Sequence, residues 1–85
     1  MMLRTEQQEC THLPARQVTP RGETCESCGS RFNLRACSDC GYVGCCESQQ
    51  GHNREHAFAS GHPVIRSLPL GNGSFTWCYD CNRYV

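Results

Sequence analysis

Three Cys-x-x-Cys pairs punctuate the chain: Cys25/Cys28, Cys37/Cys40 and Cys78/Cys81. A two-residue spacer lets a tight turn aim both sulfurs at one ion about 2.3 Å away. Cys10, His12, Cys45, Cys46, His52, His56 and His62 complete a set of nine Cys and four His. Closed zinc sites take four ligands, so twelve donors serve three ions and one Cys is left over. Cys45 and Cys46 are neighbours that point in different directions, which makes one of them the spare and leaves every His in use. A thioredoxin-like redox centre would need its CxxC in a βαβ context, and none is readable here.

Spacing alone does not divide the donors among the ions. His52 and His56 stand four apart, so on a helix they share a face and serve either one ion or two adjacent ones. Cys10 and His12 reach other donors only by folding back. Cys78/Cys81 is short of two partners, and joining it to Cys10/His12 would tie the two ends of the chain together.

The elements that must position these donors are short. Residues 1–9 read as a flexible N-terminal arm, and 10–85 as one domain. Thr11 to Thr24, with Pro14, Pro20 and Gly22, reads as an extended loop. Strands are expected at Arg31–Ala36, at Tyr42-Val43, at Pro63–Leu68, and at Ser74–Trp77 after a Gly71-Asn72-Gly73 turn, with Tyr84-Val85 closing the chain. The segment Gln49–Ser60 reads as a helix, with Ser48 as its N-cap and Gly61 at its C-terminal cap, just before Pro63. The fold class this predicts is a small zinc-stabilised α+β domain, a short antiparallel sheet with one main helix and three zinc sites.

Composition agrees. Only 38% of the 85 residues are hydrophobic and the mean hydropathy is negative, while small domains are close to balance before any staple is added. No apolar run approaches the roughly 20 residues of a membrane span. The first residues turn polar at once, without a signal-peptide core, so the expected compartment is cytoplasmic and reducing, where CxxC pairs bind metal more often than they form disulfides. Eight Arg, with no Lys, balance eight Asp and Glu, so there is no basic face for nucleic acid and no lysine for a Schiff base or a P-loop.

The blocks CxH, CESC, CSDCGYVGC, GHNREHAFASGHPV and WCYDC occur in that order between Cys10 and Val85. Together they resemble the ubiquitin-processing-protease-type (UBP-type) zinc finger. The resemblance implies a partition: Cys10, His12, Cys78 and Cys81 on one zinc, Cys25, Cys28, Cys45 and His52 on a second, and Cys37, Cys40, His56 and His62 on a third. Cys46 is then the spare thiol. Small free-standing chains of this kind look like bacterial members of the family.

In eukaryotic members the finger accompanies deubiquitinases, a deacetylase and ubiquitin ligases, and binds the free Gly-Gly terminus of ubiquitin between aromatic walls, with an Arg on the carboxylate. Trp77, Tyr79 and Tyr84 match the aromatic part. The charged part departs: Glu47 stands where that Arg belongs, Ser48 replaces an aromatic, and Arg35 replaces a wall Trp. A Glu facing a carboxylate repels it, so ubiquitin-tail affinity is expected to be weakened or lost unless Arg35 supplies a guanidinium from the opposite wall.

The function these residues predict is a non-catalytic, zinc-binding protein- or peptide-interaction module recognising a protein C-terminus, with Trp77, Tyr79, Tyr84 and Arg35 in contact with the peptide. Eight thiolates against three dications put the metallated domain near a charge of about −2, a further argument against nucleic acid. Twelve ligands on three ions leave no open position for a hydrolytic water, so no enzyme is expected. The alternative is a redox sensor in which oxidation of Cys46 beside Cys45 releases zinc.

Overall fold

The computed structural model of the protein describes residues 10–46 and 48–85. The expected N-terminal arm (1–9) and Glu47 lie outside the described residues. Among the described residues five strands and one helix follow in the order β1 (Leu34–Cys37), β2 (Val43–Cys45), α1 (His52–Ser60), β3 (Val64–Ser67), β4 (Thr76–Cys78) and β5 (Arg83–Tyr84). They form one antiparallel sheet in the order β2-β1-β3-β4-β5.

Residues directly opposite each other in an antiparallel pair share a face, and alternate residues change face. The pairs Arg35/Gly44, Arg35/Ser67, Cys37/Ile65, Ile65/Trp77 and Trp77/Tyr84 therefore place Gly44, Arg35, Ile65, Trp77 and Tyr84 on one side. Leu34, Ala36, Val43, Cys45, Val64 and Cys78 face the other. On this second side Leu34, Ala36, Val43 and Cys45 cluster with Cys25 and Leu68. The preceding loop covers that side: Val18 N–H donates to Ser38 O, Arg21 N–H to Gly41 O and Arg66 to Val18 O.

The interior is small. Among the described residues its largest fully buried side chains are Ile65, Val43 and Val64, and four of the ten buried hydrophobic residues are Cys25, Cys37, Cys45 and Cys78. Each ligand set that the resemblance implies thus contributes at least one sulfur to the core.

Helix α1 lies on the first face, over β1 and β2. Gly44 permits the contact: a Cβ there would stand 2.7 Å from Asn53 N and 2.8 Å from Asn53 Cα. Asn53 is fully buried and donates its side-chain amide to Arg35 O at 3.2 Å.

The helix starts three residues later than its sequence pattern suggests. Gly51, at φ 67°, precedes it and no side chain caps it. Ser48 is occupied elsewhere, 2.8 Å from Cys46 Sγ, and the turn between is held by Gln49 and Gly51 N–H groups on Cys46 O. The other end is as expected: Gly61 is left-handed at φ 77° and donates to Ala57 O. The first strand also starts later than expected, at Leu34, because Asn33 is left-handed at φ 52° and interrupts extended backbone.

Candidate metal centres and groove

The twelve donors come together as three groups of four, each with its ligand atoms within 4.8 Å of one another: Cys10, His12, Cys78, Cys81; Cys25, Cys28, Cys45, His52; and Cys37, Cys40, His56, His62. The separations can be tested against a metal. Zinc–sulfur bonds of about 2.3 Å and zinc–nitrogen bonds of about 2.0–2.1 Å give tetrahedron edges of about 3.8 Å between sulfurs and about 3.6 Å between sulfur and nitrogen. In the first group His12 Nδ1 lies 3.7 Å from Cys10 Sγ and 3.5 Å from both Cys78 Sγ and Cys81 Sγ, and Cys81 Sγ is 3.7 Å from Cys10 Sγ. In the second, His52 Nδ1 is 3.5 Å from Cys25 Sγ and 3.4 Å from Cys45 Sγ, with Cys28 and Cys45 sulfurs 4.0 Å apart. In the third, His56 Nε2 is 3.4 Å from Cys40 Sγ. These are the edges of tetrahedra sized for zinc. His62 Nδ1 adds an orphaned ligand atom, buried with no hydrogen-bond partner among the described residues.

The fold explains why His52 and His56, neighbours on one helix face, separate. Four residues of helix rise about 6 Å, and β2 spans a similar length between the Cys37–Cys40 turn at one end and Cys45 at the other. Running antiparallel to β2, α1 brings His52 to Cys45 and His56 to Cys40. The first group closes the chain, joining the loop at Cys10 to the end of β4. There Asp80 Oδ2 stands 3.4 Å from the outer nitrogen of His12, the arrangement by which carboxylates orient ligating imidazoles.

The local electrostatics suit the donors. Burial pushes the Cys37 and Cys78 thiols up to about 11, so a dication is what would draw off their protons. Burial also raises Cys25, but backbone N–H groups of Cys28, Ser27 and Cys45 outweigh it and leave the thiol at about 6. Burial, with the nearby charges of His62 and Arg21, lowers His56 below the usual histidine value, which keeps its ring neutral for ligation. The Arg21 guanidinium holds Glu26 low, bonding it at 2.7 Å and 3.1 Å.

Cys46 belongs to none of the three groups. At Cys46, burial is outweighed by hydrogen bonding to Ser48 and the charge of Arg35, so its thiol lies below the ordinary value.

Because α1 covers only the β1–β2 half of its sheet face, the rest stays open as a groove of about 890 Å³. Arg35, Trp77, Tyr79 and Tyr84 all line it, as do Phe75 and Phe58. Trp77 and Phe75 meet Tyr84 edge-on, at 4.9 and 5.3 Å between centroids. Arg35 lies 5.0 Å over the Phe75 ring and donates one N–H to Leu34 O at 3.1 Å. Phe58 and Tyr79 approach to 5.8 Å at an end where Arg54 stacks on Phe58. The sequence reading missed Phe58 and Phe75 as lining residues. Phe75 stands two residues before Trp77 on the expected Ser74–Trp77 strand, and the period-2 rule that puts both on one face is the signal that could have found it.

The family model described as "Zn-finger in ubiquitin-hydrolases and other protein" matches residues 25–85. The chain belongs to this family. Its members bind zinc and serve in general as non-catalytic, protein-interaction domains. Cys10 and His12 precede the matched span. The UBP-type finger of this chain is also similar to the solution NMR structure of protein RPA1320 from Rhodopseudomonas palustris, at 38% identity and a TM-score of 0.75, over 89% of this chain and 79% of that one. Two curated relatives are NAD-dependent deacetylases of Dictyostelium discoideum. Sir2A is 36% identical and sir2C 31% identical, each over 61 residues that make up 72% of this chain. Those residues are 11% of the first relative and 12% of the second, so the likeness is to a small part of each. Among the described residues no helix is long and apolar enough to cross a membrane.

Proposed function

We propose that each of the three groups holds one zinc ion, and that the resulting frame presents the aromatic groove to a protein C-terminus. The ligands are Cys10, His12, Cys78 and Cys81; Cys25, Cys28, Cys45 and His52; and Cys37, Cys40, His56 and His62. Four protein ligands per ion leave no position for a reacting water, so the ions act on shape and the module is non-catalytic. The observation that carries the reading is the groove itself. It is an open slot of about 890 Å³ beside the metal-bearing knuckles, with Trp77, Tyr79 and Tyr84 as walls and the Arg35 guanidinium inside. Aromatic walls suit an extended backbone with small side chains, and a guanidinium forms charge-assisted bonds with a carboxylate. Ubiquitin's own Gly-Gly tail is expected to bind weakly, because Glu47 takes the place of the family's carboxylate-binding Arg.

Trp77 is the one tryptophan of the chain, so its fluorescence reports on the groove directly. Peptides ending in a free carboxylate, Gly-Gly among them, should perturb it, and their C-terminal amides should bind at least tenfold more weakly. Equal binding of acid and amide would remove the terminus-recognition reading. Native mass spectrometry should count three zinc ions.

A further inference from the structure

One side chain bridges two of the three ligand groups. Tyr42 stands between the Cys37–Cys40 turn and β2. Its ring lies flat on the His56 imidazole, centroids 4.2 Å apart and planes 9° from parallel. Its hydroxyl is 2.5 Å from Ser27 Oγ, and Ser27 sits inside the Cys25–Cys28 knuckle. His56 belongs to one group and the knuckle to the other.

An imidazole aims its nitrogen only as well as its ring plane is held, since the terminal torsion of His is broad. Stacking on Tyr42 holds that plane, with His56 Nε2 3.4 Å from Cys40 Sγ. The phenol is held in turn by Ser27, and thus by the conformation of the Cys25–Cys28 knuckle. That knuckle also leans on the same stretch of chain through Glu26, whose backbone N–H donates to Val43 O at 2.8 Å and whose carboxylate accepts from Val43 N–H at 3.2 Å. If the knuckle relaxes, Ser27 moves, the hydroxyl loses its partner and the ring under His56 is freed.

We infer that Tyr42 is a positioning residue coupling the two metal sites. Loss of the ion held by Cys25, Cys28, Cys45 and His52 weakens the site of Cys37, Cys40, His56 and His62, and the reverse. The inference rests on the reading that both groups hold metal. The size of the effect follows from one hydrogen bond transmitted through one stack, about two- to tenfold in affinity.

Cadmium-113 NMR of the cadmium-loaded protein separates the sites, because the shift depends on the bound donors and only the His56 site has two thiolates with two imidazoles, in the native protein and in Cys28→Ser alike. Chelator titration of that signal measures its affinity with and without Cys28→Ser, in the native and the Tyr42→Phe backgrounds. Tyr42→Phe keeps the ring and removes only the link to Ser27. Cys28→Ser should weaken the His56 site by about two- to tenfold more in the native background than in the Tyr42→Phe background. An equal loss in both overturns the coupling. If Cys28→Ser unfolds the domain, Tyr42→Phe alone decides: the chelator concentrations that release the two ions should lie about two- to tenfold further apart in the variant than in the native protein, and an unchanged gap overturns the inference. Absence of a two-thiolate signal from the native protein would overturn the metal reading of that group, and the coupling with it.

Discussion

Replacing Gly44 by Ala tests the joint on which two of the candidate metal sites depend. The added methyl would meet Asn53 N at 2.7 Å, Asn53 Cα at 2.8 Å and Tyr42 Cε2 at 2.8 Å. Ordinary carbon contacts lie at about 3.5–4.0 Å, so roughly 1 Å of separation has to be found. Two of the three obstacles are backbone atoms in the first turn of α1, which no rotamer change can move aside. The third is the Tyr42 ring, already held between His56 and Ser27. Overpacking of this kind costs about 1–3 kcal/mol, and a rigid neighbour puts the expected loss near the upper end, about 3 kcal/mol.

In a domain of this size each kcal/mol lowers the thermal midpoint by roughly 4–8 °C. Zinc-loaded Gly44→Ala should therefore melt upward of roughly 10 °C below the native protein. The displaced helix carries His52 and His56, so two of the three ions should also become easier to chelate, while the Cys10–His12–Cys78–Cys81 ion should not. Gly22→Ala is the control, since nothing among the described residues lies within 4 Å of a Cβ at that position, and a change within about 0.5 kcal/mol is expected. A Gly44→Ala protein with the native midpoint and native chelation profile would refute the close packing of α1 on β2, and with it the account of how His52 and His56 reach separate groups.

Three further outcomes are expected. Exhaustive chelation under reducing conditions should abolish cooperative unfolding, followed by near-ultraviolet circular dichroism, because structural zinc contributes on the order of 10 kcal/mol per site to a core with few large apolar side chains. Acidification from pH 7 to 5 should release zinc: each thiol that is protonated in the metal-free protein gives up its proton on binding, so lowering pH weakens apparent affinity by about tenfold per unit per such thiol, read with a colorimetric zinc indicator. Asp80→Asn should weaken only the ion bound by His12, by about 10- to 100-fold, and chelator competition should then show one labile ion and two unchanged ones.

Much of the fold is legible because few residues carry it. The CxxC knuckles, the Gly61 cap and the β-like Pro63–Leu68 run all follow from local chemistry, and β3 falls within that run. The errors lie where one local signal met another. Ser48 has the composition of an N-cap, but its hydroxyl turns to Cys46 and Gly51 takes the start of the helix. Arg31–Asn33 has strand-like neighbours, but a left-handed Asn33 delays β1. Gly44 lies just past the expected Tyr42-Val43 strand, and nothing in the local sequence marks it as the place where the helix presses on β2.

The donor inventory, its arithmetic of three fours and a remainder, and the poverty of apolar residues are properties of composition and short-range spacing, so the chain alone determines them. It also carries the family resemblance in five ordered blocks. Which donors meet is a matter of distance in space. His52 and His56 share a helix face by sequence and part company because α1 runs antiparallel to β2, whose two ends carry different cysteines. The groove has the same origin: a nine-residue helix covers only half of a five-stranded sheet face. Residues as far apart as Arg35, Phe58 and Tyr84 become neighbours only once the strands are laid side by side.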